Sequence, residues 1–337
     1  MTWIFLSIMI GGIMSLMATP LFIKFQRNKK IGKRIRIDGP KTHSTKTGTP
    51  TMGGLVFVFS SLVSYIVVSL VKYYRHGDYS IEGIFAISVL LLCSFIGFID
   101  DYIAIKMQRS LGLRWWVKIV LLAVVCVYFI LFSKYVLNIG TYLSIPFTNM
   151  KVEMGNWYYI IVVLIIISTT NAVNLTDGLD GLAAGASSIV LAVFCLIAFL
   201  EWSVLDVHSA IDIAVIGGGT LAACIGFLWW NTAPAEIFMG DTGSFGLGGL
   251  IATFAIILKQ EILLIVIGGL FVIETLSVII QVLWFKMFKR RVFKMAPIHH
   301  HFELLGWPEI KIIIRFWIVC MLFAGVGFFI YYLKFID

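Results

Sequence analysis

Ten stretches of this chain are too apolar and too long to serve as the faces of a water-soluble core. They cover residues 3–25, 53–73, 84–99, 116–137, 157–173, 182–200, 211–230, 245–258, 262–285 and 312–333. A helix crosses the hydrocarbon core of a bilayer in roughly 17 to 25 residues, and within lipid a backbone must satisfy its own polar groups. The pattern therefore predicts an all-α integral membrane protein of about ten transmembrane helices, with no linker or repeat dividing residues 1–337 into separate domains. Stretches 84–99 and 245–258 are the shortest, so either is a candidate for a partly re-entrant segment. Only 13% of the residues are charged, against about 25% in soluble domains, which excludes an ordinary soluble enzyme.

Lysine and arginine set the orientation, because cytoplasmic loops hold the excess of positive charge. With ten spans, one side of the membrane takes residues 24–51, 100–118, 174–181, 231–244 and 286–315, and 20 of the 26 Lys and Arg fall there. Both termini are then expected outside and the basic loops in the cytoplasm. The chain begins apolar and its cations follow the first span, so that span is expected to be retained instead of cleaved as a signal. Cys93, Cys126, Cys195, Cys224 and Cys320 lie singly within apolar stretches and read as small buried hydrophobes. The outer loop 142–153, with alternating apolar and polar residues around Pro146 and Asn149, suits a small hairpin.

Three acidic clusters stand where apolar stretches end: Asp100-Asp101, then Asp177 and Asp180 within Asn171-Ala-Val-Asn174-Leu-Thr-Asp177-Gly-Leu-Asp180-Gly181, then Asp241 within Phe238-Met-Gly240-Asp241. Ionisable groups at a membrane boundary are costly, so they mark function by default. A single aspartate could equally be a helix cap or a solvated loop acid. All five fall on the predicted cytoplasmic face, and in a chain of net charge +8 they suggest a metal-dependent site facing a phosphorylated substrate. Mg²⁺ takes one or two protein carboxylates and completes its shell with water and phosphate oxygens. Asp100 or Asp101 together with Asp241 could supply those ligands and leave another carboxylate to accept a proton. Asn174, Asp177 and Asp180 follow an i, i+3 spacing, and Gly178 and Gly181 would let a ligand approach the backbone.

Two further segments carry polar chemistry. The loop 27–51 holds Lys29, Lys30, Lys33, Arg34, Arg36, Lys41 and Lys46 against Asp38. Anionic lipid headgroups account for part of that charge. Its second half, Gly39-Pro40-Lys41-Thr42-His43 and Lys46-Thr47-Gly48-Thr49-Pro50-Thr51-Met52-Gly53-Gly54, sets turn residues and hydroxyls beside cations, as a phosphate site would. Pro297-Ile-His299-His300-His301-Phe302-Glu303 follows a basic run. Adjacent histidines cannot all reach one zinc ion, so contacts to phosphate or sugar suit them better, with one packing against Phe302. Glu274 and Gln281 share a helix face inside the ninth stretch, where Glu274 reads as a carboxyl paired within the bundle.

In this order, these motifs, with Asn231-x-x-Pro-Ala-x-Ile-Phe238 and Glu274-x-x-Ser-Val-x-x-Gln281, resemble the successive signatures of bacterial phospho-N-acetylmuramoyl-pentapeptide transferases. The resemblance runs from about residue 27 to residue 317. It implies a multi-pass enzyme of the bacterial inner membrane, a homodimer with ten helices and a cytoplasmic active site. Its reaction would move phospho-MurNAc-pentapeptide from UDP to undecaprenyl phosphate, giving lipid I and UMP, with Mg²⁺ required.

Carried over by position, the resemblance makes Asp100, Asp101 and Asp241 catalytic and metal-binding, with His299 and His300 also catalytic. Lys46, Thr51, Asn171, Asn174, Asp177, Asp180, Asn231, Phe238, Gly240, Gln281 and His301 would bind substrate, and nucleoside inhibitors of the tunicamycin and muraymycin type would enter the uridine site. Membrane lipids are expected partners and nucleic acid is not. The sequence departs from the longer DDxxD pattern of related enzymes, because Ala104 stands at its last position. Two rivals are weighed. A related polyprenyl-phosphate N-acetylhexosamine-1-phosphate transferase typically lacks the Pro-Ile-His-His-His-Phe-Glu run, and a secondary transporter would hold its acids at the midplane. Direct attack by the lipid phosphate is expected, with Asp100 and Asp101 taking its proton.

Overall fold

The computed structural model describes residues 1–29, 31–32, 46, 48–77, 80–109, 112–148 and 150–335. The Gly39-Pro40-Lys41-Thr42-His43 motif, Thr47 and most cations of the first loop lie outside them. The described chain forms α1 (Thr2–Asn28), α2 (Gly54–His76), α3 (Ile81–Lys106), α4 (Trp115–Tyr135), β1 (Tyr142–Ser144), β2 (Lys151–Glu153), α5 (Trp157–Thr176), α6 (Leu182–Ser203) and α7 (Ala210–Asn231). It continues through α8 (Gly240–Ile257), α9 (Glu261–Ile267), α10 (Gly269–Phe288), α11 (Ile298–Glu303) and α12 (Glu309–Leu333). Among the described residues, ten of these helices are long and apolar enough to cross a membrane.

The two short stretches each belong to one continuous helix long and apolar enough to cross a membrane. Ser80 caps α3, its Oγ accepting the Gly83 N–H at 3.1 Å, and α3 then runs past Asp100-Asp101 to Lys106. The acids extend a helix that apolarity alone ends too early. α8 starts before its apolar residues do, at Gly240, so Asp241 stands in its first turn. The interruption falls instead in the stretch 262–285, which divides into α9 and α10 at Gly268. Phe323 of α12 packs where a Gly269 side chain would stand, and Ile267 does the same at Gly327. These close approaches lie at or beside the break, where one continuous apolar stretch predicts a single helix.

Small residues bring the central helices together. A Cβ at Gly97 of α3 would overlap the Asp241 carbonyl, and Gly246 and Gly249 of α8 meet Ser94 and Cys93 of α3. Gly248 meets Thr170 of α5, while Gly11 of α1 lies against Gly219 of α7. Lipid offers no hydrophobic drive for helix pairing, so van der Waals contact between close backbones takes that role. One apolar core lies among α6, α7, α8 and their neighbours, including Phe194, Phe227, Leu250 and Phe254. A second joins α3, α4, α5 and α8 through Phe85, Phe129, Tyr158 and Phe245. Large apolar side chains such as Leu21, Leu70, Val124, Leu164 and Leu322 are exposed on outward faces, as lipid contact requires.

The expected hairpin forms, with β1 and β2 antiparallel and Tyr142 opposite Glu153. Lys259 ties it to the bundle, donating to the Gly140 carbonyl and to the Tyr158 hydroxyl at 2.7 Å. Tyr158 in turn donates to Glu261 at 2.5 Å. Burial pushes the Glu261 carboxyl up and the Lys259 ammonium down from their ordinary values. This cluster marks the end of the bundle opposite the aspartates.

Candidate active site

Asp100, Asp101 and Asp241 come together across the α3–α8 contact, each offering a carboxylate oxygen within 4.8 Å of the others. Both members of the adjacent pair are buried, yet they do different things. Asp101 turns into the N-terminus of α8: Oδ1 accepts the Asp241 N–H at 3.1 Å, and Oδ2 accepts the Thr242 N–H at 2.9 Å and its hydroxyl at 2.7 Å. This is an N-cap supplied from another helix, with charge complementing the helix dipole. Gly240 is required beside it, at φ +75°, because a Cβ would strike the Asp101 carboxylate.

Asp100 faces the other way. Its Oδ1 accepts the Leu113 N–H at 2.6 Å and lies 3.1 Å from the Lys118 ammonium. Lys118 also donates to Asp241 Oδ2 at 2.6 Å. Asn174 completes the group, its amide donating to Asp241 Oδ1 and to Ser244 Oγ at 2.9 Å each. The Lys118 ammonium pairs with two of the three carboxylates, and the three form a hard oxygen set that could hold a divalent metal ion. Asp100 and Asp241 fit as its ligands. Asp101 is committed to α8 and fits less well as an outer ligand.

Lys118 is a site residue absent from the sequence expectation, which counted it only among cytoplasmic charges. A lysine one turn inside an apolar span is itself a functional signal. Glu309, at the start of α12, is a second omission. Lys46 donates to it at 2.6 and 2.8 Å and to Asp180 Oδ1 at 2.8 Å. The Asp180 N–H donates to Glu309 at 3.0 Å, and Asp180 Oδ2 accepts the Ala235 N–H at 3.0 Å. Four segments distant in sequence meet there.

Other expected residues take scaffold positions around these two groups. Asn231 donates to the Ile237 carbonyl at 2.8 Å, and Phe238 N–H to the Pro50 carbonyl at 2.8 Å, which holds segment 50–54 against 237–239. Thr51 is clamped through its backbone by Gln26 at 2.6 and 3.0 Å, and Asn171 donates to the Ile167 carbonyl of its own helix at 2.8 Å. Gln281 folds the following loop back onto α10, accepting the Val292 and Phe293 N–H groups at 3.0 and 2.9 Å. Asp177 caps the C-terminus of α5, half-buried.

The three histidines separate. His299 is fully buried, with Nδ1 3.0 Å from Glu274 Oε2, and its Nε2 abuts Gly178 of the aspartate turn. The pairing expected of Glu274 within the bundle is thus with His299. His300 pairs with Glu303 at 2.6 Å, and His301 Nδ1 accepts the Lys294 N–H at 3.0 Å. His301 also packs edge-on against Phe302, so one histidine does take the packing role. Three buried polar atoms near these groups, Thr51 Oγ1, Asn231 Oδ1 and His299 Nε2, have no hydrogen-bond partner among the described residues.

Known proteins are similar to this chain in sequence. The sequence profile of glycosyl transferase family 4 matches residues 84–259, and phospho-N-acetylmuramoyl-pentapeptide-transferase signature 1 matches residues 46–58. The phospho-N-acetylmuramoyl-pentapeptide-transferase of Frankia alni is 44% identical over 100% of this chain and 99% of its own length. Its namesake in Halalkalibacterium halodurans is 43% identical over 96% of both chains, and that of Bacillus subtilis 42% over 97% of both. Similarity at this level across essentially whole chains means that the protein belongs to the phospho-N-acetylmuramoyl-pentapeptide-transferase family.

Proposed function

We propose that this chain transfers phospho-MurNAc-pentapeptide from its UDP carrier to undecaprenyl phosphate, forming lipid I and releasing UMP. The observation that carries the reading is the convergence of Asp100, Asp241 and Lys118 at the end of α3, α4 and α8, in a chain related over its whole length to enzymes of that name. An oxygen of the lipid phosphate attacks the sugar-linked phosphorus, the pyrophosphate P–O bond breaks, and UMP leaves with the bonding electrons. Bound Mg²⁺ would supply charge neutralisation for the two phosphates and the departing UMP.

The chain's own residues divide the remaining work. Asp100 sits beside Lys118 and can take the proton of the incoming lipid phosphate. Lys118 supplies positive charge next to the reacting phosphates, and Asn174 orients Asp241. Asp101, by capping α8, sets where Asp241 stands and so acts through it. The turn 177–181 and the segments at Lys46 and Phe238 would receive the uridine and diphosphate, the same region in which nucleoside inhibitors would compete. The 20 to 6 division of Lys and Arg supports a cytoplasmic site with both termini outside in a bacterial inner membrane. A homodimer is the expected assembly.

The test is direct. Purified protein receives UDP-MurNAc-pentapeptide, polyprenyl phosphate and Mg²⁺, and UMP release is measured with and without EDTA. Turnover that needs all three supports the reading; its absence, or full turnover in EDTA, refutes it. Direct attack also predicts no UMP burst without the lipid. A burst near one UMP per site, with a phosphosugar adduct on Asp100 or Asp101, would establish a covalent route instead.

A further inference from the structure

Lys46 is more heavily countered than its charge requires. Its ammonium meets two carboxylates, Glu309 at 2.6 and 2.8 Å and Asp180 at 2.8 Å. An ammonium has three donors and no acceptor, so these contacts draw on the same hydrogens that a substrate phosphate would use. The two acids are not equivalent. The Asp180 side chain is 4% exposed and its second oxygen is held by the Ala235 N–H at 3.0 Å. The Glu309 side chain is 22% exposed, stands in the first turn of α12, and keeps a favourable helix dipole whether or not lysine is near.

We propose that Glu309 is a positioning residue that competes with a phosphate of the sugar nucleotide for the Lys46 ammonium. Asp180 keeps its hold on one N–H of the ammonium while Glu309 and the phosphate exchange places on the donors that remain. This deepens the transferase reading and rests on it, since Lys46 is there a substrate-binding group. The availability of the Lys46 ammonium to substrate is then governed by an acid more than 260 residues away in sequence.

Glu309→Gln isolates the charge, because the amide oxygen still accepts the Asp180 N–H and the side chain keeps its shape. The variant is expected to lower KM for UDP-MurNAc-pentapeptide by about two- to fivefold, the range that a partly exposed ion pair supports. The turnover number should stay within about twofold and KM for polyprenyl phosphate should not move, as expected for a change confined to ground-state binding. Calorimetric titration with UMP should show the same tightening without catalysis. Both gains should vanish when Lys46→Met is added. An unchanged or raised KM in Glu309→Gln, the result a purely structural tie would give, overturns the proposal, as does a gain that persists without Lys46. A wild-type protein that releases no UMP would refute the transferase reading instead, and the UMP titrations would still report the competition.

Discussion

Replacing Lys118 by methionine removes the ammonium that pairs with two of the three clustered carboxylates. Its Nζ lies 2.6 Å from Asp241 and 3.1 Å from Asp100, with the three side chains 17%, 19% and 9% exposed. Without it, carboxylates whose oxygens lie within 4.8 Å repel one another. At an effective dielectric constant of about 20 that repulsion is roughly 3 kcal/mol per pair. Removing one partner of a buried ion pair costs about 3–5 kcal/mol, and the partial hydration of this group brings the expectation to about 2–4 kcal/mol. In a chain of this length each kcal/mol moves Tm by about 1–2 °C. Lys118→Met in EDTA should therefore unfold about 3–6 °C below wild type. Mg²⁺ restores positive charge to the same oxygens, so the Mg²⁺-induced rise in Tm should be larger in Lys118→Met than in wild type. The assay is a thermal melt of the detergent-purified protein across a Mg²⁺ titration. Equal Mg²⁺ shifts in the two proteins, or a variant as stable as wild type in EDTA, would refute the electrostatic account of the site.

Three further outcomes follow from the geometry. Asp101→Asn turns an amide N–H₂ toward the N–H groups of α8 and should cost about 2–3 kcal/mol in melts, whereas Asp100→Asn should lower turnover with little loss of stability; equal Tm losses would dissolve the proposed division between the two. Gly178→Ala should destabilise by about 1–3 kcal/mol by driving a methyl group into the buried His299 ring, and the penalty should shrink in a His299→Ala background, a coupling that a double-mutant cycle reads directly. A cysteine introduced near Arg109 should react only with cytoplasmic reagent and one near His76 only with external reagent; labelling of both from one side would reverse or break the assigned topology.

Apolarity alone located the ten spans because lipid imposes a length and forbids unpaired backbone. It misplaces their ends where polar residues continue a helix, as at Asp100-Asp101, and it misses the break at Gly268, beside which Phe323 of α12 packs against Gly269. The acids that converge could be named because charge is rare in such a chain. Lys118 was hidden by being counted as a loop cation, and Glu309 by standing alone in a segment without other chemistry. The separate duties of Asp100 and Asp101 could not be read from adjacency: consecutive helical residues point about 100° apart, so one meets α8 and the other α4. For the histidines, which of three neighbours is buried depends on Glu274, 25 positions away.

The most enclosed of the ten candidate spans, α8, is also the least apolar, with Gly240, Gly243, Gly246, Gly248 and Gly249 and several hydroxyl residues in 18 positions. Entry into lipid from the ribosome is decided largely by side-chain hydrophobicity, and a segment this poor in it gains little by leaving water alone. Its stability in the bilayer comes from α3 and α5, whose small residues meet its glycines, and from the Asp101 carboxylate that caps it. Insertion of α8 is therefore expected to depend on the earlier helices that receive it. The residue expected to hold the metal is thus carried by the helix that depends most on its companions, and chains that fail to assemble would lose the reaction centre before they lose the membrane.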